Sequence, residues 1–320
     1  MQAPVGAQHK IPQASVFCET IREGLPGTMP ESASIGKRRY NHLTRNGHLM
    51  PNHMGYLSLA LYAASFLCYA RLLYAPNVWL GRLATLLLAS GIALHYLALL
   101  DRTAGMHAVP YDDLYGSMSL FAWLLGVTYL GLELLHRQRS VGSLVSLVMV
   151  AWMACLDWLT PREMPTPPPA HGALFAFHVT LNIWAYAAFG LSFVLSSVYL
   201  MQDRMLRSHR AGGPFWRFPA LEVLDRMSRS SVFAGLAALA FGVGSGLVWE
   251  HRLTGAYAWG DPKVVVTLLI VGLYIAYLWL SRTSGWRGAR AALVCALSFA
   301  IVLFSYTLVN LYLTRFHRFF

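Results

Sequence analysis

Residues 172–201 read GALFAFHVTLNIWAYAAFGLSFVLSSVYLM, thirty positions without an Asp, Glu, Lys or Arg. A helix of about 20 predominantly apolar residues crosses the hydrocarbon core of a bilayer. This stretch is long enough to span one and to tilt within it or project beyond it. Seven more apolar windows surround it, at approximately 55–74, 79–100, 116–136, 141–159, 231–249, 264–281 and 289–313. Their connections are short, apart from the stretch from Gln202 to Ser230. The whole chain is 56% hydrophobic and 12% charged, where a soluble domain carries about 25% charged residues. Disorder, a collagen-like fibre and a two-domain soluble enzyme are thereby excluded. The expected fold is an all-α integral membrane protein, a bundle of about eight transmembrane helices embedded in the lipid bilayer.

The formal charge of +11 is spread over short arginine-rich runs between the apolar windows, which reads as membrane orientation and not as a nucleic-acid face. Alternate connections hold thirteen arginines: Arg71, Arg82, Arg137, Arg139, six from Arg204 to Arg229, then Arg282, Arg287 and Arg290. The opposite set, leaving out the first 53 residues, holds six basic residues. The richer side is expected to be cytoplasmic, so that both termini of the core face outward. Residues 1–53 are polar and carry six basic residues that this topology would translocate. They have no apolar signal core and no small-residue cleavage site. They are read as a disordered tail or as an over-extended start, with Met50 or Met54 as the initiator, ahead of a membrane domain at 54–320. The four cysteines form no CxxC pair, so no disulfide framework or thiol redox motif follows.

Ionisable residues at membrane depth are costly and are functional candidates by default. His136 and His209 fall in basic runs and read as solvated surface residues. By span parity His95, His107, His178 and His317 fall on the outer side. So does the loop 249–263, WEHRLTGAYAWGDPK. Every unusual polar cluster therefore faces one compartment, the pattern of a site on one side of the membrane and not of a path through it. Two neutral imidazoles from different helices can hold a haem iron axially, and aromatic rings offer apolar faces to the macrocycle. Arg252 and Lys263 are suited to the propionates. The same residues also read as interfacial histidines and as helix-end tryptophans of an aromatic belt.

Four stretches, taken in order, resemble the CcsA/CcmC-type cytochrome c assembly family. Leu94-His95 followed by GMHAVPYDDLY at 105–115 is similar to the family's LH…GHFPLSNLYES segment. His178-Val179 with Tyr186-Ala187 is similar to its HV…YA helix start. The loop 249–263 keeps the spacing of the tryptophan-rich "WWD" signature and ends in Asp261-Pro262-Lys263. Val309-Asn310 with His317 seven residues on is similar to its VNxxxxGLH. The resemblance runs from about residue 55 to the end.

It implies that His178 and His317 are axial ligands of haem b at the outer face. Trp249, Tyr257, Trp259 and Asp261, with Arg252 and Lys263, would belong to the loop that binds the macrocycle, and His95 would match a haem histidine within the membrane. The implied function is presentation of haem to apocytochrome c, together with a second membrane subunit of the CcsB/ResB type, in a bacterial-type inner membrane. No residue reads as a nucleophile or general base, and none is required when the substrate brings the thiols; whether the chain is an enzyme in its own right stays open.

The chain departs from the family pattern at Thr254, Ala258 and Gly260, where tryptophans are usual, and at Val264 and Gly116 in place of glutamates. A second membrane histidine is replaced by Trp279 or Leu280, so His95 is either a ligand without a partner or a satisfied interfacial histidine. Two alternatives follow. One is a haem-binding relative of the same fold that regulates haem synthesis and attaches nothing. The other is an eight-span small-molecule transporter, against which stand the lack of internal repeats and the one-sided ionisable residues.

Overall fold

The computed structural model describes residues 53–106, 114–159, 172–208, 219–257, 262–283 and 285–308. They form eight helices: α1 (His53–Leu72), α2 (Val78–Met106), α3 (Leu114–His136), α4 (Gly142–Leu159), α5 (Gly172–Arg207), α6 (Leu221–Thr254), α7 (Pro262–Leu280) and α8 (Ala289–Leu308). In lipid, backbone N–H and C=O groups must be satisfied internally, and the helix does so within each segment. Each apolar window of the sequence overlaps one of these helices. Four of them, α2, α3, α5 and α6, are long and apolar enough to cross a membrane.

The boundaries of α5 and α6 differ from the sequence expectation. The polar stretch from Gln202 to Ser230 reads as a connection, yet α5 runs on to Arg207 and α6 starts at Leu221. Ion pairs one turn apart support these polar ends: Arg207–Asp203 at 2.8 Å, Arg226–Glu222 at 3.3 Å and Arg229–Asp225 at 3.1 Å. At its other end α6 carries Trp249 to Thr254 as helix, so the aromatic loop begins only at Gly255. That glycine takes a left-handed φ of 69° and its N–H bonds to the His251 carbonyl at 2.9 Å. No earlier residue in 249–254 is a helix breaker, so the helix continues until a glycine can cap it.

The central pair is α5 and α6. The buried positions Ser228, Ser231, Gly235, Ala238 and Gly242 recur along α6 at spacings of three and four, which sets a stripe of small residues along one face. Small side chains let helix backbones approach closely in a membrane. The Ser231 hydroxyl donates to the Ala188 carbonyl of α5 at 2.7 Å, and the Ser196 and Ser228 hydroxyls lie 3.1 Å apart. A Cβ on Gly235 would stand 2.6 Å from the Phe189 ring. Phe189 in turn stacks on Tyr274 of α7, with centroids 3.9 Å apart.

Two apolar cores share this pair. One joins it to α1–α4 through Tyr62, Tyr69, Tyr129, Met149 and Leu191. The other joins it to α7 and α8 through Phe189, Tyr274, Tyr277 and Phe299. Phe233, Phe241, Leu268, Leu269 and Trp279 are exposed on the outside of the second group, the pattern of helices that are apolar all round and meet lipid.

Gly235→Val should force Phe189 off Tyr274 and cost roughly 1–3 kcal/mol, the usual scale of overpacking. A melting temperature in detergent equal to that of the native protein would remove Gly235 from the seam.

Candidate functional site

His178 lies in the second turn of α5 and is half-buried against α6. Its Nδ1 is 2.7 Å from the Gly242 carbonyl oxygen. A carbonyl only accepts, so Nδ1 carries the proton and donates, and the lone pair of the neutral ring resides on Nε2. The Asn182 amide, one turn along α5, lies 3.2 Å from the same Nδ1 and donates instead to the His178 carbonyl at 2.7 Å. A Cβ on Gly242 would stand 3.1 Å from the Asn182 amide nitrogen, and one on Gly246 would collide with the imidazole itself. Two glycines one turn apart thus make a slot on α6, filled by Asn182 at Gly242 and by the ring of His178 at Gly246.

Phe175 connects this histidine to the helix ends. Its ring centroid is 6.4 Å from that of His178 and 4.7 Å from that of Trp249. Beyond it an open groove of about 740 Å³ runs between the start of α5 and the end of α6, lined by Gly172, Ala173, Leu174, Phe177, Trp249, Arg252 and Leu253. Its size falls within the ~300–1,000 Å³ typical of small-molecule sites. Among the described residues its walls are apolar with one cation, Arg252. Next to it His251 stacks on Tyr257, centroids 4.7 Å apart and planes 11° from parallel. Trp249, Arg252 and Tyr257 therefore stand at the same end of α6 as His178. Trp259, Asp261 and His317 lie outside the described residues, as do His107 and His171. Lys263 falls in the first turn of α7.

His95 belongs to a different cluster. It is 1% exposed, with Nδ1 3.1 Å from the Tyr62 hydroxyl and Nε2 2.9 Å from the Ser119 hydroxyl. Both ring nitrogens thus have hydroxyl partners, from α1 and α3, and iron ligation at either would require giving one up. His136, read from the sequence as a solvated residue, is part-buried and lies 3.1 Å from the Ser230 hydroxyl of α6. Asn182, Gly242, Gly246 and Phe175 carry the geometry around His178, and the histidine pattern did not single them out. The available signals were Asn182 four residues after His178 and the glycines spaced by four on α6, each a one-turn repeat.

The fold and this groove together define a helical membrane protein with a histidine, aromatic rings and a cation gathered at one end of its central helix pair. The model of the family described as cytochrome C assembly protein matches residues 111–317, and the chain belongs to that family. The cytochrome c biogenesis protein CcsA of Chlamydomonas reinhardtii is 31% identical over 222 residues, which cover 67% of this chain and 62% of that protein. The CcsA of Synechococcus sp. (strain CC9902) is 27% identical over 227 residues, covering 63% and 75%. Protein HemX of Brevibacillus brevis is 26% identical over 252 residues, covering 78% of this chain and 92% of its own. The chain thus spans less than two thirds of the length of the algal relative and three quarters or more of the two bacterial ones.

Gly244 has nothing within 4 Å of where a Cβ would stand, so Gly244→Ala should be neutral or stabilise by up to ~1 kcal/mol through helix propensity. Gly246→Ala should destabilise by roughly 1–3 kcal/mol, because the imidazole has to move. Thermal unfolding of the two variants in detergent checks this, and the same sign for both would contradict the slot.

Proposed function

We propose that this chain is a haem-handling subunit of cytochrome c assembly, with eight spans and its His178 groove on the outer face of a bacterial-type inner membrane. The observation that carries the reading is the ring of His178, whose Nδ1–H is held by the Gly242 carbonyl at 2.7 Å. A metal-ligating histidine nearly always donates its other ring N–H in this way, which sets the tautomer and raises the basicity of the ligating nitrogen. The neighbouring groove supports it further, since Phe177, Trp249 and Leu253 offer apolar walls and Arg252 a cation at the edge. These residues fit a flat, apolar, dianionic macrocycle.

In this reading His178 and His317 hold the iron. Trp249, Tyr257, Trp259 and Asp261 shape the loop around haem b, and Arg252 and Lys263 pair with its propionates. Bound haem supplies the vinyl groups across which the cysteine thiols of apocytochrome c add. The chain's own residues orient the cofactor and keep it from water, with no nucleophile or general base of their own. His95 stays outside the ligand set on the strength of its two hydroxyl partners. Apocytochrome c and a CcsB/ResB-like membrane subunit are the proposed partners. The excess of arginine on alternate connections supports the orientation.

A second reading is favoured by one observation. The alignment with Protein HemX takes in more of both chains than the alignments with the CcsA proteins cited above. A haem-binding relative that regulates haem synthesis would show the same spectrum without any dependence on apocytochrome.

The detergent-purified protein, oxidised and then reduced with dithionite, should show sharp low-spin α and β bands that vanish in the His178→Ala/His317→Ala double variant. Bands retained in that variant would overturn the ligand assignment. Co-expression with an apocytochrome c separates the two readings: covalent haem attachment that depends on this chain supports assembly, and attachment unchanged by its deletion supports the regulatory relative.

A further inference from the structure

The proposed function makes no use of a second polar site at the far end of the bundle from His178. The two ends are related through α6. Ser230 near its start meets His136 of α3, and Trp249, which meets Phe175, lies nineteen residues on, about 28 Å at 1.5 Å per residue. Close to His136 on α3 stands Glu133, the one acidic residue of the apolar run 116–136. It is 2% exposed. A carboxylate so placed is costly unless its oxygens are engaged. Tyr69 of α1 donates to Oε2 at 2.5 Å and Thr85 of α2 donates to Oε1. The Nε of Arg139, in the α3–α4 turn, lies 3.4 Å from Oε1 and donates to the Thr85 hydroxyl at 3.1 Å.

The guanidinium is thus fixed along its Nε edge, while its two terminal nitrogens carry four further N–H donors. Nη1 lies 3.2 Å from where a Cβ on Gly81 would stand. Arg139 and Gly81 share an open cavity of about 390 Å³ with Leu72, Pro76, Val78 and Ser140. One side of it is therefore apolar and the other holds an oriented cation. The surroundings are those of a membrane–water boundary. Trp79 is exposed with the Arg82 guanidinium 5.1 Å from its ring centroid, and Arg71 lies in the last turn of α1. Tryptophan and arginine at helix ends mark that boundary.

We infer that this cavity binds the phosphate headgroup of an anionic phospholipid. Arg139 contacts the phosphodiester, acyl chains lie along Leu72, Pro76 and Val78, and Glu133 acts as a positioning residue that holds the guanidinium in place. A soluble phosphate would leave the apolar wall without a partner, and a zwitterionic lipid would bring a second cation towards Arg71, Arg82 and Arg139.

The test is native mass spectrometry of the full chain in detergent, titrated with phosphatidylglycerol or phosphatidylcholine. The native protein should retain phosphatidylglycerol over phosphatidylcholine by about fivefold or more, the scale of one cation at an anionic surface. Ser140→Asp puts a negative charge into the cavity beside Arg139 while keeping Glu133, Tyr69 and Thr85 in place, and should bring retention down to that of phosphatidylcholine. Glu133→Gln/Arg139→Gln, which removes the buried carboxylate together with its part-exposed cation and leaves no lone buried charge, should do the same. Should the double variant fail to fold, Ser140→Asp alone decides. Equal retention of phosphatidylglycerol by the native protein and Ser140→Asp would overturn the site. Displacement of the bound lipid by millimolar inorganic phosphate would assign the cavity to a soluble anion and overturn the lipid reading.

Discussion

The close approach of α5 and α6 is the constraint on which the rest of this structure depends. Two helices that present Ser, Gly and Ala to each other come near enough for side chains of one to reach backbone carbonyls of the other. Ser231 reaches the Ala188 carbonyl and His178 reaches the Gly242 carbonyl. In water such contacts would compete with solvent. In an apolar bundle they are worth more, and a missing partner costs more. The same seam joins the two apolar cores, because Phe189 packs over Gly235 on one helix and stacks on Tyr274 of another. The orientation of His178 is thus a consequence of how the central pair packs, and does not rest on the loops around it.

Three polar clusters inside the bundle are met by groups on other helices. His95 sits between hydroxyls of α1 and α3. Glu133 collects donors from α1, α2 and the turn after α3. Ser228 links α6 to Tyr277 of α7 and lies near Cys295 of α8. These contacts tie helices that would otherwise be held by apolar packing alone, where lipid is as good a neighbour as another helix. The two ends of the bundle are then chemically distinct. One gathers an imidazole, aromatic rings and an open apolar groove; the other gathers arginines around a buried carboxylate.

Much of this was legible in the residue order. The lengths of the apolar windows, from 55–74 to 289–313, mark where helices form, since a membrane helix is decided by local composition. Trp249, Arg252 and Tyr257 were legible as one group with His178, because span parity puts the start of one helix beside the end of the next. The boundaries of α5 and α6 were less so. Hydropathy stops at Met201, while the pairs Asp203–Arg207 and Glu222–Arg226 extend the helices by a different kind of interaction.

Glu133 does not stand out beside the histidines because its hydroxyl partners, Tyr69 and Thr85, lie 64 and 48 residues away, and Asn182 because it packs against Gly242 of a facing helix. Composition and periodicity by themselves determined that this chain is helical, apolar and charged asymmetrically, since each of these is a property of single residues and their neighbours. Only the tertiary structure decided which nitrogen of His178 carries the proton, that both nitrogens of His95 are occupied, and that Arg139 is held over a cavity. Those facts depend on which carbonyl, hydroxyl or glycine of another helix comes within about 3 Å, the reach of a hydrogen bond, and no local pattern encodes that register.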